Sequence, residues 1–229
     1  MAFTLVIGNK NYSSWSMRPW VLMKQMGIAF EERMVKFNSA DWADHIARLS
    51  PSKLVPVLWD GVPGEAGSFA VWDTLAIAEF VADRFPDKAI WPADPRARAR
   101  ARSLACEMHA GFRNLRSTMP MNIRSQHPGK GYTDATARDI ARVEQLWADC
   151  RREFGAGGPF LFGAFGAADA MFAPVTQRFA TYQPPLSAAT RAYCEAVSKA
   201  PGVAAWIADA KMETEFVPED EPYCPAPGA

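Results

Sequence analysis

Asn11-Tyr12-Ser13-Ser14-Trp15-Ser16-Met17-Arg18-Pro19-Trp20 is the stretch on which the reading of the chain turns. It follows a nearly continuous apolar run, residues 3–8, and leads into an apolar-periodic segment that stops at Gly27. That order predicts a strand buried on both faces, a polar turn and a helix. Pro19 falls within the first turns of the helix, where a missing N–H costs little. The turn sets three serines and a tyrosine where a helix presents unpaired amides and the positive end of its dipole. Such a place suits an anion, and a thiolate is one. The plainer reading of a serine before a helix is an N-cap, and the turn alone leaves both open.

Composition narrows the field. With 229 residues, 49% of them hydrophobic and 22% charged, the chain has ample material for a core and is not of the disordered type. A formal net charge of zero gives no support for nucleic-acid or membrane binding. No run is long and apolar enough to span a bilayer, and Met1-Ala2-Phe3-Thr4 enters a strand pattern with no charged leader. A cytoplasmic location is therefore expected. Cys106, Cys150, Cys194 and Cys224 are far apart and show no paired spacing, and in a reducing compartment they stay free. His45, His109 and His127 lack partners at metal-ligand spacing, so no metal site is expected.

Beyond Gly27 the chain divides into two halves. Phe30 to Phe37 alternates like a second strand, and Asp41 can cap a short helix that ends at Ser50-Pro51. Val57 to Trp59 reads as a strand, Asp60-Gly61 as a hairpin signal, and Phe69 to Trp72 as the returning strand. Asp73-Thr74 opens a helix through Arg84. The order βαβαββα makes a compact α/β domain over residues 1–85. The proline-rich stretch 86–95 is the linker candidate. From residue 96 to 229 the pattern is all-α. One helix is expected from Arg96 to about Arg116, with Pro120 ending or kinking whatever continues. Further helices are expected from Thr133 or Asp134, from Gly166 to Ala180, over Ser187 to Ala200 and over Gly202 to Met212. Arg96, Arg98, Arg100 and Arg102 alternate with alanine, so on a helix they scatter and form no basic stripe. The tail after Phe216 is expected to be extended or loosely docked.

An α/β half with Ser13-Ser14-x-Ser16-x-Arg18 after its first strand, Val55-Pro56 before its third and Asp73-Thr74 opening its third helix, joined to an all-α half, resembles a cytosolic glutathione transferase. The turn is most similar to that of the zeta class and its bacterial relatives, which carry Ser-Ser-Cys-x-x-Arg. The resemblance spans essentially the whole chain and implies a thioredoxin-like N-terminal domain, a helical-bundle C-terminal domain, glutathione as co-substrate and a homodimer. It also implies site residues. Lys53, Leu54, Val55 and Pro56 would form the loop, with its cis-proline, that pairs with the cysteinyl part of glutathione. Asp73 and Thr74 would take the γ-glutamyl end, and Lys53 or Arg48 the glycyl carboxylate. Ser13 is the first choice as hydroxyl donor to the thiolate, Ser14 the second and Tyr12 the third. Arg18 is given a structural role.

The implied chemistry is thiol activation. A free thiol ionises near pH 8.5, and a hydroxyl donor at a helix N-terminus brings that towards neutrality. The sulfur then attacks a small hydrophobic electrophile. A zeta-like cis-trans isomerase using glutathione, with Arg116 and Arg178 as candidate substrate cations, is the alternative; a non-catalytic binding module is a third. Two departures stand out. Trp15 replaces the zeta cysteine, which removes chemistry needing a protein thiol there. Gly166 stands where the capping box of the helical domain usually has Ser or Thr.

Overall fold

The computed structural model describes residues 2–224. Strand β1 (Phe3–Ile7) is buried along its whole length and lies inside a four-stranded sheet of order β2-β1-β3-β4, with β2 (Phe30–Met34), β3 (Val57–Asp60) and β4 (Phe69–Val71). β1 runs parallel to β2, in register Phe3 with Phe30, and antiparallel to β3, Phe3 with Asp60; β4 pairs antiparallel with β3. Helices α1 (Ser14–Gln25), α2 (Trp42–Leu49) and α3 (Thr74–Arg84) complete the α/β half. The helical half holds α4 (Pro95–Ala110), α5 (Arg113–Thr118), α6 (Asp134–Phe154), α7 (Ala167–Tyr182), α8 (Ala188–Lys199) and α9 (Pro201–Met212). No helix among the described residues is long and apolar enough to cross a membrane.

Three expectations need correcting. The second strand ends at Met34, not Phe37, because Val35 makes one more bond, to Ile7, and Phe37 then turns its amide to the Asn9 side chain. The helix from Pro95 stops at Ala110. Phe112 takes the left-handed conformation (φ 56°), and α5 restarts beyond it at Arg113. A Cβ on Gly111 would sit 2.8 Å from the Glu107 carbonyl, so the break needs glycine there. The tail after Phe216 is closely docked over its described residues, 217–224, where Val217 is buried and the Tyr223 hydroxyl donates to the Thr118 carbonyl (2.7 Å); residues 225–229 lie outside the described residues. Glu221 is buried against Tyr12 and Arg124, and just ahead of the tail Glu213 accepts the amides of Lys10 (2.6 Å) and Asn11 (3.1 Å).

The four alternating arginines scatter as expected. Arg96 and Arg100 face Glu153, Arg102 pairs with Glu79, and Arg98 donates to the carbonyls of Pro92 and Ala93. Asp169 bonds back to the Gly166 amide (3.0 Å), and its other oxygen accepts from the Leu161 amide (3.0 Å) and the Tyr193 hydroxyl (2.9 Å). A Cβ on Gly166 would stand 3.1 Å from the Ile90 carbonyl, a close contact that a serine or threonine at this cap would have to relieve by a shift of a few tenths of an ångström.

One apolar core runs through both halves. Met17, Trp20, Val21, Leu22 and Met23 of α1 belong to the same cluster as Met171, Phe172 and Val175 of α7 and Trp206 of α9. α1 is therefore an interior helix, with the sheet on one side and the helical half on the other.

Candidate functional site

The polar turn between β1 and α1 is almost wholly buried, and most of its groups are committed. Ser13 is the N-cap of α1: its hydroxyl accepts the Ser16 amide (3.4 Å) and donates to the Ser16 hydroxyl (2.7 Å), which also accepts the Gly8 amide. Tyr12, the third candidate donor, lies among the Glu221 carboxylate, the Glu215 carbonyl (2.9 Å) and Arg124 (2.7 Å). Burial and the hydrogen bond with Glu221 push its ionisation well above that of an ordinary tyrosine. It is part of the tail's docking surface and not a free donor. The Ser14 hydroxyl has no hydrogen-bond partner among the described residues and lines a cavity of about 530 Å³ with Arg113, Arg116, Ser117 and Arg178. The Trp15 amide, one residue further into the helix, is likewise unpaired among the described residues.

A second cavity of about 350 Å³ gathers the other expected residues. Trp15, Ser52, Leu54, Val55, Pro56, Trp72, Asp73 and Thr74 line it. The Val55–Pro56 peptide is cis. The backbone of Leu54 is taken up at both ends by the Ser50 hydroxyl, whereas neither the amide nor the carbonyl of Val55 has a partner among the described residues. Asp73 caps α3 through one oxygen, accepting the Leu75 amide (3.0 Å). Its other oxygen lies 2.8 Å from His109 Nε2 on α4. The Thr74 hydroxyl donates to the Trp15 carbonyl (3.1 Å), which leaves its amide unpaired among the described residues. Neither Lys53 nor Arg48 lines this cavity; both are exposed.

Trp15 joins the two cavities. It lines the smaller one, and the guanidiniums of Arg18 (4.2 Å to the centroid) and Arg116 (4.5 Å) both pack against its ring, with His109 at 5.1 Å. Arg18 is buried and donates to the carbonyls of Ser14 (2.9 Å) and Met171 (3.0 Å), so it ties α1 to α7 as its structural reading requires. Burial, with Arg178 and Arg116 close by, pulls its ionisation well below the ordinary value. Burial and Arg116 bring Arg178 down to about 10.

Sequence reasoning missed Ser52, His109 and Arg113. His109 reaches Asp73 from 36 residues away, through helix packing that no local pattern encodes. The Arg113 side chain faces a cavity only because the helix breaks at Gly111-Phe112, where one continuous helix was expected.

A four-stranded mixed sheet with a cis-proline loop facing a helix N-terminus, joined to a helical domain, defines the class: a thioredoxin-like domain fused to an all-α domain. The family model for the glutathione S-transferase N-terminal domain matches residues 12–84, and that for the C-terminal domain matches residues 133–209. The chain belongs to the glutathione S-transferase family. No curated protein sequence matches it. Solved structures share its fold. A glutathione transferase homologue from Burkholderia gl BGR1, with bound glutathione, is 23% identical (TM-score 0.68, covering 92% of this chain and 99% of the other). A diazinon-metabolizing glutathione S-transferase of the silkworm Bombyx mori is 16% identical (TM-score 0.69, 92% and 98%). The Tau class enzyme of mango, Mangifera indica, is 18% identical (TM-score 0.66, 90% and 92%).

Proposed function

We propose that the protein is a glutathione transferase that holds glutathione in the cavity around Val55, Asp73 and Thr74 and presents its thiolate to Ser14. The observation that carries this reading is a set of backbone groups with no partner among the described residues, on residues that line one cavity: both ends of Val55 and the Thr74 amide. Buried or half-buried amides and carbonyls without partners are uncommon, and an extended cysteinyl residue satisfies two of them at once. The γ-glutamyl carboxylate meets the Thr74 amide at the N-terminus of α3, and the ammonium meets the lone pairs of Asp73 that its cap and His109 leave free. Lys53 and Arg48, both exposed beside the loop, are candidates for the glycyl carboxylate. Of the two serines, Ser14 suits the thiolate, because the Ser13 hydroxyl is spent on the cap. The Trp15 amide adds a second donor there.

In this reading the thiol proton passes to solvent, and the thiolate forms a C–S bond with a small electrophile, displacing a leaving group that departs to solvent with its bonding electrons, or adding to an activated C=C bond whose π electrons take a proton from solvent. Isothermal titration with glutathione tests it: binding in the millimolar range or tighter is expected, and no heat at that concentration would leave only the binding-module reading. The isomerase alternative gains one observation, since Arg116 and Arg178 do share a cavity with Ser14. Turnover of a maleyl compound without net loss of glutathione would distinguish it. A cytoplasmic homodimer is the assembly expected for either activity.

A further inference from the structure

One side chain of the helical half reaches across to Asp73 while lining neither cavity: His109, in the last turn of α4. Its Nε2 lies 2.8 Å from one oxygen of Asp73, and the other oxygen accepts the Leu75 amide at the cap of α3. An ionised carboxylate offers only acceptors, so Nε2 carries the hydrogen. Among the described residues no other side chain bonds Asp73. Arg18, within its electrostatic reach, spends its donors on the carbonyls of Ser14 and Met171. The imidazole is itself held on two sides. Its ring packs on Trp15, 5.1 Å between centroids, and the His109 carbonyl, freed by the end of α4, accepts from Arg116 (3.4 Å).

From this geometry we infer that His109 is a positioning residue for glutathione: it fixes the Asp73 carboxylate so that the lone pairs left over are presented to the γ-glutamyl ammonium. The inference rests on the proposed transferase reading, which sets that ammonium on Asp73. The Asp73 side chain is 51% exposed, so a single bond from the cap would leave the carboxylate free to turn about its last torsion in water. A second bond, from a ring anchored on the other half of the molecule, removes that freedom before a ligand arrives. Ordering a binding group in advance raises affinity, because the complex then loses less conformational freedom as it forms. A charge-assisted bond to an ammonium gains in particular, since its strength depends on donor and acceptor being aligned. The helical half thus contributes to glutathione affinity through a side chain that does not touch glutathione.

The test titrates two ligands calorimetrically into the full chain: glutathione, and glutaryl-cysteinylglycine, which is glutathione with hydrogen in place of its α-amino group. The wild type should bind glutathione at least about fivefold more tightly, since only that ligand brings an ammonium to Asp73. His109→Phe keeps a ring against Trp15 and removes the donor. It should weaken glutathione about three- to tenfold and leave the analogue unchanged. His109→Gln, which restores an N–H donor on a more flexible chain, should recover part of the loss. In an Asp73→Asn background, where the cap is kept, adding His109→Phe should change neither affinity. If His109→Phe does not fold, His109→Ala is read in the same way. Equal weakening of both ligands would make the role of His109 purely structural and overturn the inference. Unchanged or tighter glutathione binding in His109→Phe would overturn it too, as would a wild type that does not distinguish the two ligands. A wild type that binds neither would instead remove the transferase reading, and this inference with it.

Discussion

Ser13 and Ser14 are neighbours in sequence, yet their hydroxyls face different ways. The helix N-terminus needs one oxygen to satisfy the Ser16 amide, and Ser13 supplies it. Ser13→Ala should therefore cost about 1 kcal/mol of stability and leave the pH profile of kcat/KM for conjugation unmoved. Ser14→Ala should do the opposite: little change in thermal midpoint, and an apparent thiol pKa raised by about one unit, read from the same pH–rate profile. A profile shifted by Ser13→Ala alone would return the thiolate to Ser13. The pair was legible in the sequence as a pair. Its division of labour was not, because it depends on Ser16 and Gly8 closing a hydrogen-bonded ring that spacing does not reveal.

At the level of elements, α7 hangs on Asp169. Its carboxylate is fully buried and accepts three hydrogen bonds, from Leu161, Gly166 and Tyr193. Asp169→Ala would strand those donors and should destabilise the fold by roughly 3–5 kcal/mol, measured by urea unfolding. α9 meets α1 at Gly202, where an added Cβ would stand 2.7 Å from the Val21 carbonyl. Gly202→Ala should accordingly lose about 1–3 kcal/mol, although alanine favours a helix on propensity alone. The short turn at Pro218–Asp220 carries a pH dependence. Burial raises Asp220 from 3.8 to about 6. Between those values the native state holds more protons than the unfolded chain, so stability falls as pH rises from about 4 to about 6. Burial raises Asp169 to about 6 as well, so against wild type Asp220→Asn should make that part of the thermal-midpoint curve shallower and leave the share due to Asp169. The periodic helices α6, α8 and α9 could be read from their apolar spacing. The break at Gly111-Phe112 could not, because a single left-handed residue leaves the composition on either side helical.

For the whole molecule the two halves are distinct in pattern but not in packing. The sequence separates residues 1–85 from residues 96–229 at a proline-rich stretch, yet Ile90 and Trp91 within that stretch are buried and the Ile90 carbonyl holds the first amide of α7. Lys10, 4% exposed, bonds Glu32 of β2 (2.7 Å) and Asp209 of α9 (2.6 Å), with Trp20 and Trp206 against its ammonium. The halves should therefore unfold together, with far-ultraviolet and near-ultraviolet circular dichroism giving coincident transitions; two separated midpoints would refute a shared core. This coupling was invisible in the sequence because its partners lie far apart in the chain, Ile90 and Ala167 by 77 residues and Lys10 and Asp209 by 199, whereas the α/β half was legible through strand alternation and caps that are local. Trp15 bears a further consequence. Of the eight tryptophans, it is the one that lines the first cavity and also packs against a guanidinium, Arg116, that lines the second. The protein thus has a built-in optical probe: the emission lost between wild type and Trp15→Phe should respond to an occupant of either cavity, with no label attached.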